Sequence, residues 1–268
     1  MRNRWLVNLL LLILVIGLGA LMRWDLEQGQ RETRLTGLLP ENITEIAIER
    51  TGEPAIRLAQ DVEGWRMESP FSVTADAGRI GELTGIAATQ VFRTMPKTAG
   101  SERLGLNADS PRLILNGLVL SFGDVDPIGQ NRYVAIGAQV HLIGDGFQHH
   151  LIAEAEDYVA RTLLPSGFQP NVGSLNGSAL SPEQLADLDG LTAEVVEPLG
   201  SELSGRLLSL DSDTADQSLR FLVSADGRRW ARLDLRLRYL VATPPPWTVV
   251  EEAPQPDPVE PRTRDLGF

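Results

Sequence analysis

Residues 6–22, from Leu6 to Met22, constrain this chain more than any other stretch, because they carry no charge and only Asn8 interrupts the apolar and small residues. At 1.5 Å rise per residue a helix of this length reaches roughly 26 Å, enough to cross a ~30 Å hydrocarbon core once with local thinning. Trp5 and Trp24 bracket the run where amphipathic rings prefer to sit, and Arg2, Arg4 and Arg23 flank it. A cleaved secretory signal is the rival reading. Against it, the exit Gly19-Ala20-Leu21-Met22-Arg23-Trp24 places bulky residues where a signal peptidase needs small ones, and the chain has no cysteine for a lipoprotein anchor. The expectation is an uncleaved signal anchor, a transmembrane helix over residues 1–24 that contacts the lipid bilayer through residues 6–22.

Arg2 and Arg4 favour a cytoplasmic N-terminus, while Arg23, Arg31 and Arg34 oppose it, so local charge leaves the orientation open. Long domains translocate largely regardless of charge, and basic residues followed by an apolar run have the order of an export signal. The expected location is the bacterial inner membrane, single-pass, with the C-terminal domain periplasmic. All 36 acidic residues and all cations but three follow residue 24, so the exported part is more acidic than the whole chain at −12 and should not cling to anionic lipid.

That acidity excludes a nucleic-acid partner bound by general phosphate neutralisation, which needs a basic footprint. With 43% apolar and 22% charged residues the chain is neither wholly disordered nor a polytopic membrane protein. The absence of cysteine removes disulfides, thiol catalysis, iron–sulfur clusters and Cys-ligated zinc.

Residues 25–40 are polar and read as a stalk. Beyond Pro40 the pattern alternates: Ile43, Ile46 and Ile48, then Ile56 and Leu58, then Trp65 and Met67, separated by Gly-containing turns, which predicts a three-stranded meander. Asp76 is placed to cap a helix whose face is Ile80, Leu83, Ala87 and Val91, weakened by Gly78, Gly81 and Gly85. Asn116-Gly117 is the clearest local signal, because both positions of a two-residue hairpin turn want positive φ. It pairs Leu115 with Leu118, Ile114 with Val119 and Leu113 with Leu120. Both faces are apolar, so the hairpin is expected inside a sheet covered on both sides.

A second hairpin is expected around Gly137-Ala138, then a closing helix through Leu151, Ala155, Tyr158 and Leu163 that Pro165 stops. This first unit covers residues 41–165, and residues 166–180, rich in Gly, Ser and Asn, read as a linker. Ser181-Pro182-Glu183-Gln184 has the form of a capping box and opens a smaller unit over residues 181–243. There a hairpin about Asp226-Gly227 leads into one long strand, Trp230 to Val241, with Leu233, Leu235, Leu237 and Tyr239 inward and Arg232, Asp234, Arg236 and Arg238 outward. Residues 244–268, with seven prolines, predict an extended, disordered tail. The fold class expected is α+β, mainly antiparallel sheets of hairpins with a few packing helices, behind one N-terminal transmembrane helix.

The order of these marks is familiar. The signal anchor, Ile43-Thr44-Glu45-Ile46, Gly64-Trp65 followed by Pro70 and Ala75-Asp76, Leu104-Gly105-Leu106 with Pro111, and Gly123 leading to Arg132-Tyr133-Val134 and the closing helix together resemble the bacterial domain-of-unknown-function 4340 family. The resemblance covers roughly residues 41–165 and rests on diffuse structural marks, with no catalytic signature to carry over. It implies a membrane-anchored envelope protein of the kind found beside ABC transporter components similar to those of gliding-motility systems.

Motifs that carry chemistry are few. Glu154 follows His150 by four positions, which puts both on one helix face as a ligand pair, with His149 adjacent, but a catalytic zinc would need His141 as a third ligand from a neighbouring strand. A polar helix start and a strand histidine are the simpler account. Asp124-Val125-Asp126-Pro127-Ile128-Gly129 begins like a calcium loop but offers Ile128 and Ala135 where oxygen ligands are required, so an acidic turn is expected. Lys97 follows Pro96 without a glycine-rich approach, so there is no phosphate-binding loop, and no G-x-S-x-G elbow occurs. Arg228, Arg229, Arg232, Arg236 and Arg238 form a basic stripe, read either as a solvated strand face or as a dock for an anionic partner.

The function expected is a non-enzymatic single-pass envelope protein, an accessory or interaction subunit associated with an ABC-type transporter, with a transporter permease or other envelope proteins as partners. No catalytic, cofactor-binding or metal residues are assigned. The alternative is a periplasmic module that binds cell-wall glycan or another polyanion through the arginine stripe.

Overall fold

A computed structural model describes residues 13–19, 34–201, 204–212 and 217–250. The chain divides into two compact units, Met1–Arg161 and Thr162–Phe268. Within the expected membrane segment residues 13–19 are helical and their apolar side chains are exposed. The rest of residues 6–22 and stalk residues 25–33 lie outside the described residues, and among the described residues no helix is long and apolar enough to cross a membrane. Both units are built on antiparallel sheets with few helices, an α+β arrangement.

The first unit holds one nine-stranded sheet. Its strands in chain order are β1 (Glu45–Glu49), β2 (Ile56–Asp61), β3 (Gly64–Ser69), β4 (Val73–Thr74), β5 (Val91–Pro96), β6 (Arg112–Leu115), β7 (Leu118–Val125), β8 (Asn131–Ile136) and β9 (Gln139–Gly144). Their spatial order is β4-β3-β2-β1-β6-β7-β8-β9-β5. Because strand side chains alternate with period two, the register that opposes Ile46 to both Leu58 and Leu115, and Leu113 to both Ile48 and Leu120, gathers these residues on one face. All of them are buried, with Ile56, Met67, Phe122 and Val134. Each such side chain contributes roughly 1.5–3 kcal/mol on burial, which is why the alternation fixes the register.

Helix α1 (Ala77–Gly85) starts where the Asp76 carboxylate accepts the Arg79 N–H at 3.0 Å, and it buries Ile80, Leu83 and Thr84. It packs on β3 and on the turns at Pro40–Asn42 and Ala155–Tyr158. The helix is shorter than its apolar spacing suggests: the chain tightens into a 3-10 turn at Ile86–Ala88, goes extended at Thr89, and Val91 belongs to β5. The closing helix is likewise not continuous. Helix α2 (Gln148–Ile152) ends where Ala153 and Glu154 turn extended, and a separate 3-10 turn follows at Ala155–Tyr158. The backbone N–H groups there find other partners, because Ala75 pairs with Val159 and the Ala160 N–H reaches the Thr74 carbonyl at 2.9 Å.

The Asn-Gly hairpin forms in the expected register, with Asn116 at φ 46° and Gly117 at φ 81°. It is not covered on both faces. Leu113, Leu115 and Leu120 are fully buried, whereas Val119 is 42% exposed and Ile114 half-buried. The covering chain on that side, at Ala99–Leu104 and Leu106, packs beside Gly123 on β7 and clusters with Ala135, Val140, Tyr133 and Met95 on β8, β9 and β5. Gly123 permits this approach, since a Cβ there would overlap the Leu104 carbonyl. Part of the expected stalk is also structured: Leu35 is buried and its N–H donates to the Thr89 carbonyl at 2.9 Å.

The second unit holds β10 (Val172–Leu175), β11 (Ser178–Ala179), helix α3 (Pro182–Ala186), β12 (Val195–Pro198), β13 (Arg206–Ser212), β14 (Gln217–Val223), β15 (Arg229–Arg232) and β16 (Leu237–Leu240). The sheet order is β11-β10-β13-β14-β15-β16-β12. Leu208 opposes Phe221 and Val223 opposes Trp230, and all four are buried. Residues 166–180 are therefore not a linker, since β10 and β11 form one side of this sheet. The capping box at Ser181 and Gln184 forms as expected, with N–H to oxygen distances of 3.2 and 2.8 Å.

Two further expectations fail in this unit. The long strand from Trp230 to Val241 is two strands, β15 and β16, folded back through a tight turn so that Arg232 opposes Leu237. Arg236 takes φ 56° in that turn. Opposing residues across the four-residue turn have opposite parity, so Arg232 lies on the buried face with Trp230, Leu237 and Tyr239 while Leu233 is exposed, the reverse of what one continuous strand predicts at those two positions. The proline-rich tail, for its part, is folded at its start: Thr248 is fully buried, Arg206 donates to its carbonyl, and the Val250 N–H donates to the Ala225 carbonyl at 2.8 Å. Residues 251–268 lie outside the described residues.

Candidate functional site

The uncovered face of the first sheet carries a groove of about 290 Å³. Glu45, Ala47 and Glu49 come from β1, Arg57 and Ala59 from β2, Glu68 from β3 and Ile114 from β6. Their register explains the shape, because Ala47 opposes both Arg57 and Ile114, and Glu45 opposes Ala59. Small side chains at the centre leave a depression between longer ones. The floor is apolar, and three carboxylates and one guanidinium stand around it. At its margin Arg112 lies 3.9 Å from Glu49.

The histidines assemble differently from the sequence expectation. Glu154 does not face His150, because the helix ends between them; its carboxylate lies 3.8 Å from Arg50, which also donates to the Ala153 carbonyl at 2.9 Å. His141 sits on β9 with its Nδ1 3.1 Å from the Thr94 hydroxyl, away from the other two. The carboxylate that meets His150 is Glu82 of α1, at 3.2 Å from Nε2. His149 stacks obliquely on His150 with ring centroids 3.9 Å apart, and one donor atom from each of Glu82, His149 and His150 lies within 4.8 Å of the others.

His150 is buried, while Glu82 and His149 are exposed. Burial of the ring, and then the adjacent His149, hold the His150 imidazole below the ordinary histidine range; Glu82 pulls it back up and Arg79 adds to the depression. Tyr158 locks the backbone beneath, its buried hydroxyl donating to the His150 carbonyl at 2.6 Å, and burial pushes that phenol well above its ordinary range. No local signal pointed to Glu82. It lies on a different helix, 68 positions from His150, and only the packing of α1 over the sheet brings it there.

The calcium-like loop is an acidic turn. Asp126 Oδ2 accepts the Gly129 N–H at 2.8 Å and Oδ1 accepts from the Tyr133 hydroxyl at 3.4 Å, so one oxygen serves the loop's backbone and the other a side chain of β8. The arginine stripe does not form. Arg232 is buried against Asp234 at 3.1 Å, Arg238 pairs with Glu197 at 3.0 Å, and Arg236 occupies the turn. The balancing acids are thus Asp234 and Glu197; Asp216 lies outside the described residues.

No protein-family model, curated protein or solved structure matches this chain.

Proposed function

We propose that this protein is a non-enzymatic, single-pass bacterial envelope protein, with its C-terminal bulk in the periplasm, that serves as an accessory subunit of an ABC-type transporter. The groove over Ala47, Ala59 and Ile114 carries the reading. An apolar floor with a charged rim suits a docked protein segment, since burial of the floor supplies the affinity and the rim sets orientation. Glu45, Glu49 and Glu68 outnumber Arg57 and the marginal Arg112, so the rim is net acidic and the segment that fits is apolar with flanking Lys or Arg. A periplasmic loop of a transporter permease is such a segment. The anchor expected at residues 6–22 and the resemblance over residues 41–165 support the same placement. Less supports the polyanion alternative, since Arg232 and Arg238 of its stripe are paired with carboxylates.

The test is recovery from membranes in mild detergent with the full chain at its natural level. The reading expects the permease and ATPase of one transporter to co-purify, and expects Ala47→Arg and Ala59→Arg, which fill an outward-facing depression, to abolish this while thermal stability holds. Recovery of no transporter subunit, or equal recovery with both variants, overturns it. Reporter fusions after residue 250 are expected to report the periplasm.

A further inference from the structure

We infer that Glu82, His149 and His150 form a binding site for a divalent transition metal of the zinc type. Two imidazoles and one carboxylate are the donor set of an open zinc-class site, three protein ligands with the remaining position left to water. Metal–ligand bonds of about 2.0–2.2 Å place tetrahedral donors roughly 3.3 Å apart, so atoms already within 4.8 Å need only small side-chain rotations to close. Glu82 and His149 are exposed and free to make them, while His150 is fixed from below by Tyr158.

The buried ring holds one donor in place: His150 Nε2 faces the Glu82 carboxylate at 3.2 Å, and Nδ1, buried, has no hydrogen-bond partner among the described residues. Imidazole donors select zinc, copper or nickel over calcium and magnesium. Arg79, 3.8 Å from the Glu82 carboxylate and about one-third exposed, is the cation that a metal displaces.

The experiment titrates the full chain in detergent with zinc chloride, read by calorimetry and by bound metal per chain. One zinc per chain is expected, with Glu82→Gln and His149→Gln each weakening it at least ~10-fold while the metal-free melting temperature stays the same, and with His141→Ala unchanged. Because His150 is buried, it is left intact in every variant. A second measurement needs no variant: cobalt(II) bound to the unaltered chain is expected to show the visible bands of a four- or five-coordinate site. Absence of stoichiometric zinc, wild-type affinity in both variants, or only the weak absorption of hexa-aquo cobalt overturns the inference.

Discussion

Arg132 lays its guanidinium fork across the carboxylate of Asp145, Nε to Oδ1 at 2.5 Å and Nη2 to Oδ2 at 3.1 Å, while Nη1 donates to the Gly123 carbonyl at 2.7 Å. Both side chains are mostly buried, at 12% and 16% exposure. The pair ties β8 to the chain leaving β9 and to the irregular stretch of β7 between Phe122 and Val125, where Gly123 admits the Leu104 segment.

Breaking that pair strands a buried charge. Asp145→Ala is expected to cost about 3–5 kcal/mol, whereas Arg132→Lys keeps the charge but loses the fork and the Gly123 bond, at about 1–2 kcal/mol. Urea midpoints, with hydrogen exchange of the β8 and β9 amides as a local readout, check both. Equal stability of Asp145→Ala and the unaltered chain would refute the assignment.

Asn116 does more than bend a hairpin. Its Oδ1 accepts the N–H groups of Thr44 and Glu45 at 2.9 and 3.0 Å, and its Nδ2 donates to the Asn42 carbonyl at 2.9 Å, which fixes the start of β1 against the β6–β7 turn. Asn116→Gly keeps the positive φ and loses three hydrogen bonds, so about 1–3 kcal/mol is expected. Asn116→Ala adds left-handed strain of about 1 kcal/mol. A ranking with Ala more stable than Gly, read from chemical denaturation, would contradict this.

Arg236 takes φ 56° in the β15–β16 turn. Glycine removes the left-handed cost of about 1–2 kcal/mol and returns part of it as chain entropy, so Arg236→Gly is expected to stabilise the second unit by about 0.5 kcal/mol. A lower melting temperature for the variant would show that the arginine side chain makes a contribution of its own.

Folded His150 binds its proton less readily than the unfolded chain does, because burial disfavours the charged ring. In the unfolded state it protonates near pH 6.5, so its contribution to stability is full above that pH and is lost as pH falls through about 6.5 and on through the folded value. The melting temperature of the unaltered chain is expected to drop more between about pH 7.5 and pH 5.5 than that of His150→Gln. Parallel pH profiles for the two proteins would count against a neutral buried ring.

Much of the fold is legible in the chain because its signals are local. The Asn116-Gly117 turn, the alternation through Ile46, Ile48, Ile56 and Leu58, the Asp76 cap and the Ser181–Gln184 box each depend on residues within a few positions, and each forms as read. Alternation within a strand determines which side chains share a face, and the empty cysteine count removes disulfide and thiol chemistry.

Tertiary structure decided the rest, for a common reason: the deciding partner is remote. Alternating Arg and Leu residues predict one strand, whereas the chain reverses at residues 233–236, β16 pairs with both β15 and β12, and Arg238 meets Glu197. Apolar spacing from Leu151 to Leu163 fits a helix until Thr74 and Ala75 claim its backbone for pairing. Ile114 and Val119 look like core residues, yet Ile114 is half-buried and Val119 exposed, because the covering chain packs beside Gly123 on β7 and over β8, β9 and β5. Glu82 joins His150 through helix packing across 68 positions of sequence, a proximity that no local pattern encodes.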